Sequence, residues 1–201
     1  MGGGLRYVMA VDMLDKVTET IAKHELLDRG DAVLVALSGG PDSVALLDVL
    51  CRLRDRLKLR IGAVYVNHQI RPRAAAREEQ FCAELCERLE LDFTVFRENV
   101  PQLAKKLKMG IEETARGVRY AVFEQLASGG RYHKVALAHH ADDQAETILF
   151  RIIRGTGRSG LVGIPIKRGM IIRPMMDVSK SDILEYLKVK DSNEFQFQKL
   201  W

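Results

Sequence analysis

The sequence predicts an α/β fold, a doubly wound and mostly parallel sheet with helices on both faces. Short apolar runs alternate with segments of helical spacing along most of the 201 residues, as in successive strand–helix–strand units. The run Ala32-Val33-Leu34-Val35-Ala36-Leu37 is apolar throughout, as a parallel strand covered on both faces must be. It leads through Ser38 into the pair Gly39-Gly40 and then a helical segment, and ligands of such sheets gather beyond the carboxyl ends of the strands.

The elements follow in order. Asp12 to Asp28 places Leu14, Val17, Ile21, Leu26 and Leu27 near helical spacing, with Gly30 as the expected stop. The central strand comes next. Helical spacing returns from Val44 to Leu57, and Arg60 to Val66 is a second apolar run of strand length. A helix over 77–89 and a strand over 92–97 precede helices at 101–107 and 111–127, the last ended by Gly129-Gly130. Lys134 to Ala138 reads as a fourth strand and Ala141 to Arg154 as the helix after it. Gly155, Gly157, Gly160 and Gly163 mark a loop, Ile171-Ile172 a short strand, and Ser181 to Leu187 a helix. The expected organisation is a leading segment over 1–30, a catalytic domain over 31–190 and a tail over 191–201, where Phe195, Phe197, Leu200 and Trp201 show no period.

Composition narrows the function classes. With 47% hydrophobic and 29% charged residues the chain reads as globular. No apolar run approaches the roughly 18 residues of a membrane span, so no membrane role is expected. The start, Met1-Gly2-Gly3-Gly4, lacks a secretory pattern, which places the expected site of action in the cytoplasm. Three cysteines, an odd number, suit a reducing compartment. Cys82 and Cys86, four apart in a helical segment, read either as two small residues on a buried face or as a pair sharing a metal. The net charge is +4, and between Glu146 and Asp177 no acid interrupts Arg151, Arg154, Arg158, Lys167, Arg168 and Arg173. Such a segment attracts phosphate, above all a nucleic-acid backbone, or forms a solvated basic face.

Ser38-Gly39-Gly40-Pro41-Asp42-Ser43 stands between the first strand and its helix, where backbone N–H groups and the positive helix end favour an anion. Gly39 and Gly40 let the main chain approach an oxygen, and the hydroxyls of Ser38 and Ser43 add donors. Asp42 repels a bare phosphate, so a cation, Mg²⁺, is expected between the two. The Lys-Ser or Lys-Thr ending of a Walker loop is absent, which argues against ordinary γ-phosphate transfer. A plain capped turn is the competing reading. The whole hexapeptide after a buried strand resembles the PP-loop of the N-type ATP pyrophosphatase superfamily, which implies an adenine nucleotide alpha hydrolase-like fold and cleavage of ATP to AMP and pyrophosphate.

Three further segments extend the likeness: Val66-Asn67-His68-Gln69-Ile70-Arg71, Glu112-Glu113-Thr114-Ala115-Arg116 with Arg119-Tyr120, and Ala138-His139-His140-Ala141-Asp142-Asp143-Gln144-Ala145-Glu146-Thr147. With Arg154-Gly155-Thr156-Gly157 and Arg173-Pro174, they resemble the catalytic domain of the bacterial tRNA(Ile)-lysidine synthetase family from about Val33 to Leu187. That resemblance implies adenylation of the C2 oxygen of the wobble cytidine in a tRNA(Ile) with a CAU anticodon. L-lysine then displaces AMP to give lysidine, and a homodimer is implied as well. It assigns nucleotide contact to the loop with Asn67 and His68, and phosphate contact to Arg116 or Arg119. Arg151, Arg154, Arg158 and Arg173 are the expected tRNA contacts.

The amine sets a second requirement. With an ordinary side-chain pKa of about 10.4, roughly one lysine in 2,500 is neutral at pH 7, about 4.6 kcal/mol from the nucleophilic form. A carboxylate or imidazole must take that proton. His139, Asp143 and Glu146 stand at i, i+4 and i+7, one face of a helix beginning at the fourth strand. A zinc site and a simply capped helix are the competing readings. Family members continue past this length into tRNA-gripping domains, and Asp191-Ser192-Asn193 resembles that junction. Two other functions remain open from the sequence: tRNA 2-thiolation, for which no Cys-x-x-Cys pair is present, and an ATP-binding module without turnover.

Overall fold

Val33, Leu34 and Val35 have no solvent-exposed surface, and their neighbours account for it. The computed structural model describes the backbone of residues 3–155 and 162–191, and the side chains of 13–155 and 162–189. In chain order the elements are α1 (Gly3–Lys23), β1 (Ala32–Ala36), α2 (Pro41–Leu57), β2 (Arg60–Asn67), α3 (Pro72–Arg88), β3 (Asp92–Arg97) and α4 (Val100–Leu107). They continue as α5 (Ile111–Ser128), β4 (Lys134–Ala136), α6 (Ala141–Ile153), β5 (Lys167–Arg168), β6 (Ile171–Ile172) and α7 (Lys180–Asp191). Two compact units result, residues 29–136 and a unit drawn from both ends, 1–28 with 137–201.

In residues 29–136 four strands pair in parallel in the order β3-β2-β1-β4. β1 is therefore flanked on both edges. Its faces are closed by apolar side chains, among them Val44, Leu46, Leu47 and Leu50 of α2, each at most 2% exposed. Helix α3 starts at Pro72, five residues before the apolar period suggests. Proline at the first helical position is preorganised for that start, and Ala74 to Ala76 carry the helix to its buried face at Cys82, Leu85 and Cys86.

In the other unit, α1 packs on α7, with Met13, Val17 and Ile21 buried on the first helix and Ile183, Tyr186 and Leu187 on the second. Lys16 bonds Asp182 at 3.2 Å, and Thr20 Oγ1 donates to Asp177 at 3.0 Å. The sequence pattern carries α1 to Asp28 with Gly30 as its stop, whereas the helix ends at Lys23. Glu25 takes φ +47, and the amides of Leu26 and Glu25 donate to the carbonyls of Ile21 and Ala22, a Schellman turn built on a residue other than glycine. Leu26 stays buried after leaving the helix, which is why its spacing imitates one more turn. The strand at 171–172 pairs antiparallel with β5, a partner that Lys167-Arg168 does not announce. No helix among the described residues is long and apolar enough to cross a membrane.

A close approach in the first of these units invites a stability test. A Cβ built on Gly62 of β2 would collide with the Tyr132 hydroxyl oxygen and lie 2.8 Å from the ring carbon that bears it. Gly62→Ala is expected to cost about 1–3 kcal/mol of stability through overpacking. Urea denaturation measures the loss, and Tyr132→Ala in the same chain is expected to make the glycine substitution nearly neutral.

Candidate functional site

The turn between β1 and α2 is held by its own hydroxyls. Ser43 Oγ donates to the Gly40 carbonyl at 2.9 Å and accepts from the Ser38 amide at 3.1 Å. The one Ser43 hydroxyl proton is thereby used, so Ser38 Oγ donates across the 3.1 Å contact to Ser43 Oγ and accepts from the Gly40 amide at 3.3 Å. Gly39 sits at φ +78 with Glu78 and Cys82 of α3 against it, a backbone conformation that disfavours any side chain. Gly40 caps α2 in extended conformation, Pro41 is its first residue, and half-buried Asp42 lies in its first turn. The sequence pattern suggests both hydroxyls as donors to an anion. In the structure Ser43, 4% exposed, braces the turn, and Ser38 is the exposed one.

Beyond β2 the chain turns through Asn67 and His68. Asn67 is 8% exposed, donates to Glu79 at 3.0 Å and accepts from the Gln69 amide at 3.0 Å. Arg97 of β3 pairs with the same Glu79. Burial alone would raise the Glu79 pKa, and the hydrogen bonds from Arg97 and Asn67 bring it below the usual value. Asn67 thus holds the turn. His68 is half-buried, and its Nδ1 is buried with no hydrogen-bond partner among the described residues. Burial, then the positive charge of Arg119, hold its pKa below the usual imidazole value. Arg116 lies over the Tyr120 ring at 5.5 Å, and burial and the Arg116 charge both draw the Arg119 pKa down. His68, Arg116 and Arg119 therefore share one electrostatic neighbourhood.

The cysteines take the buried-face reading. Burial pushes the Cys82 and Cys86 thiols up to about 12, so neither is a ready thiolate. Among the described residues no three His, Cys, Asp or Glu side chains converge on a metal position. A hard cation arriving with a polyphosphate needs only one or two carboxylates, and Asp42 can supply one.

His139, His140, Asp143 and Glu146 belong to the other unit. The Ala141 amide donates to Val178 O at 2.9 Å and the Lys180 amide to Asp142 Oδ2 at 2.8 Å, which ties the start of α6 to the start of α7. Asp143 accepts from the His140 amide at 2.9 Å and so caps α6. One carboxylate oxygen can cap while the other faces a ligand. His139 is half-buried and Glu146 exposed. Gln144, which sequence reasoning passes over although it lies inside the motif, accepts from the Ile164 amide, and a Cβ on Gly163 would collide with the same oxygen. Gln144 thus anchors the end of the glycine-rich segment.

Of the basic candidates, Arg151 is half-buried and Arg154 exposed, the latter lying 4.1 Å over the Phe150 ring. Arg173 is 3% exposed and donates to Pro165 O at 2.6 Å. It ties down the 165–173 segment. Arg158, Thr156, Gly157, Gly160 and the tail from Ser192 to Trp201 lie outside the described residues.

Comparison with known proteins adds the following. A family model described as the PP-loop domain matches residues 9–196. The tRNA(Ile)-lysidine synthase of Caldanaerobacter subterraneus subsp. tengcongensis is 42% identical over 179 residues, covering 89% of this chain and 38% of that protein. The protein of the same name from Chlorobaculum tepidum is 41% identical over 175 residues, covering 87% of this chain and 53% of that protein. The chain thus spans well under two thirds of these curated relatives. Among solved structures, the U34-tRNA thiolase NcsA of Methanococcus maripaludis superposes with a TM-score of 0.73 at 18% identity, over 95% of this chain and 67% of that one. An NH3-dependent NAD synthetase of Campylobacter jejuni superposes with a TM-score of 0.57 at 20% identity, over 96% and 77%. These two likenesses concern the fold alone.

The His68–Arg119 pair predicts a pH dependence. The folded chain holds His68 below its ordinary pKa, so on acidification the unfolded chain takes up the proton first. Stability from this group is complete above about pH 6.5 and is lost as pH falls toward the folded pKa. Arg119→Gln is expected to raise the His68 pKa, read by NMR titration of the imidazole. An unmoved titration would place Arg119 too far away to matter.

Proposed function

We propose a function from one premise: this chain belongs to the PP-loop domain family. The family uses ATP. The reading we favour is ATP-dependent ligation of L-lysine to C2 of the wobble cytidine of a tRNA(Ile) with a CAU anticodon, a carbon–nitrogen bond-forming ligase reaction in the cytoplasm. The observation that carries it is the self-braced Ser38–Ser43 turn at the carboxyl end of a buried parallel strand, in a chain 42% identical over 179 residues to a tRNA(Ile)-lysidine synthase.

The chemistry divides into two steps. In the first, the cytidine C2 oxygen attacks the α-phosphorus and pyrophosphate leaves. The turn and the α2 N-terminus grip the polyphosphate, Asn67 and His68 border the nucleotide, and Arg116 and Arg119 stabilise charge on the transferring phosphate. Asp42 would hold Mg²⁺, which would supply positive charge to a bound polyphosphate. In the second, the neutral lysine amine attacks C2 and AMP leaves with the C2 oxygen. Asp143 and Glu146, with His139, position the ammonium and take its proton. Arg151, Arg154 and Arg158 meet the RNA backbone. A homodimer is part of the same reading.

Tertiary context weighs against 2-thiolation, because buried cysteines with pKa near 12 make poor sulfur carriers or cluster ligands. Pyrophosphate release with ATP, Mg²⁺, lysine and tRNA(Ile) tests the proposal. Lysine-dependent release with lysidine in the RNA is the expected result, and ATP binding without release would indicate a module without turnover. Asp42→Asn is expected to abolish release. Asp143→Asn preserves a capping oxygen, so it and Glu146→Gln are expected to slow lysine transfer at least tenfold more than adenylate formation. Equal slowing of both steps, measured by rapid quench, would overturn the assignment.

A further inference from the structure

Helix α6 has no fully buried residue. Its second half presents large apolar side chains to solvent, with Leu149 58%, Phe150 54%, Ile152 55% and Ile153 74% exposed. Arg154 is also exposed, and its guanidinium carbon lies 4.1 Å from the Phe150 ring centroid. That spacing puts the cation over the ring face, and both residues of the pair are exposed.

Helical geometry links this pair to the residues proposed for lysine. Asp143 and Phe150 are seven apart, two turns of α6, so they share a face about 10 Å apart along the axis. Glu146 precedes Phe150 by four residues on the same stripe. A single strand crosses that spacing within one or two nucleotides. C-terminal to Glu146 the sequence carries only basic charges until Asp177.

We propose that Phe150 and Arg154 form a stacking platform for an unpaired base of the RNA substrate, one or two nucleotides from the base that reacts. The proposal rests on the RNA-modifying reading above. Unstacked loop bases settle on aromatic rings and on arginine planes in single-stranded RNA recognition, and a guanidinium over a ring combines the two. Leu149 and Ile153 flank the platform with apolar surface that a base edge can cover. Arg154 in this role supplies a plane as well as a charge.

The test uses the whole chain without ATP or lysine and an anticodon stem-loop carrying 2-aminopurine beside the wobble position. Phe150→Leu keeps apolar bulk and loses the ring, whereas Arg154→Lys keeps the charge and loses the plane. Both are expected to weaken stem-loop binding about tenfold and to abolish quenching of the 2-aminopurine, while ATP binding stays unchanged. Arg154→Lys is also expected to keep the wild-type salt dependence. Wild-type affinity with the quench intact in both variants would overturn the proposal. So would self-association of the native chain that Phe150→Leu abolishes in sedimentation, because the face would then belong to a second copy. Loss of ATP binding in the native chain would instead strike at the ligase reading, independently of the stacking result.

Discussion

A strand with no solvent on either face can present chemistry only at its ends, and β1 is such a strand. Its centre is closed by β2 and β4 at the edges and by α2 and its neighbours above and below. The chain leaves the strand through Gly39 at φ +78 and enters α2 at once. The two serine hydroxyls lock that exit into one shape. The N-terminus of α2 opens directly beyond that turn, an end that favours an anion without any side chain having to supply a positive charge. The adjoining rim, where β2 ends at Asn67, is held by the β2–β3 ladder and also by side chains, through Glu79 and Arg97.

The two units contribute different local surroundings. Residues 29–136 offer a helix N-terminus with Arg116 and Arg119, surroundings that favour a polyanion and keep His68 in its neutral form. The other unit places Asp142, Asp143 and Glu146 in the first turns of α6, where the helix dipole also favours carboxylates. Such a cluster attracts a cation, and an ammonium is the cation the proposed ligation requires. Activation by a polyphosphate and attack by an amine thus draw on separate electrostatic environments.

Helix α6 is unusual as a structural element because it buries none of its residues fully. Its register is set instead by ties at its start, where Val178 O and the Lys180 amide engage Ala141 and Asp142, and by the Gln144 contact with Ile164. A helix held by its first turns leaves its sides available for recognition. The exposure of the apolar residues in its second half shows that they face outward.

Local rules settled much of this molecule. The fully apolar run at 32–37 specified a covered parallel strand, Gly39-Gly40 specified the turn, and the spacing of Asp143 and Glu146 placed them on successive turns of one helix, because each depends on neighbours within one or two turns; His139 precedes the N-cap His140 and stands outside that helix. Tertiary structure decided the rest. It ended α1 at Glu25 instead of Gly30, spent Ser43 on bracing, buried Arg173 against Pro165, and left Phe150 in water. The physical reason is common to all four: burial and hydrogen-bond partners come from residues distant in the chain or from the detailed path of the backbone, and periodicity records which residues are apolar or charged but not what they meet.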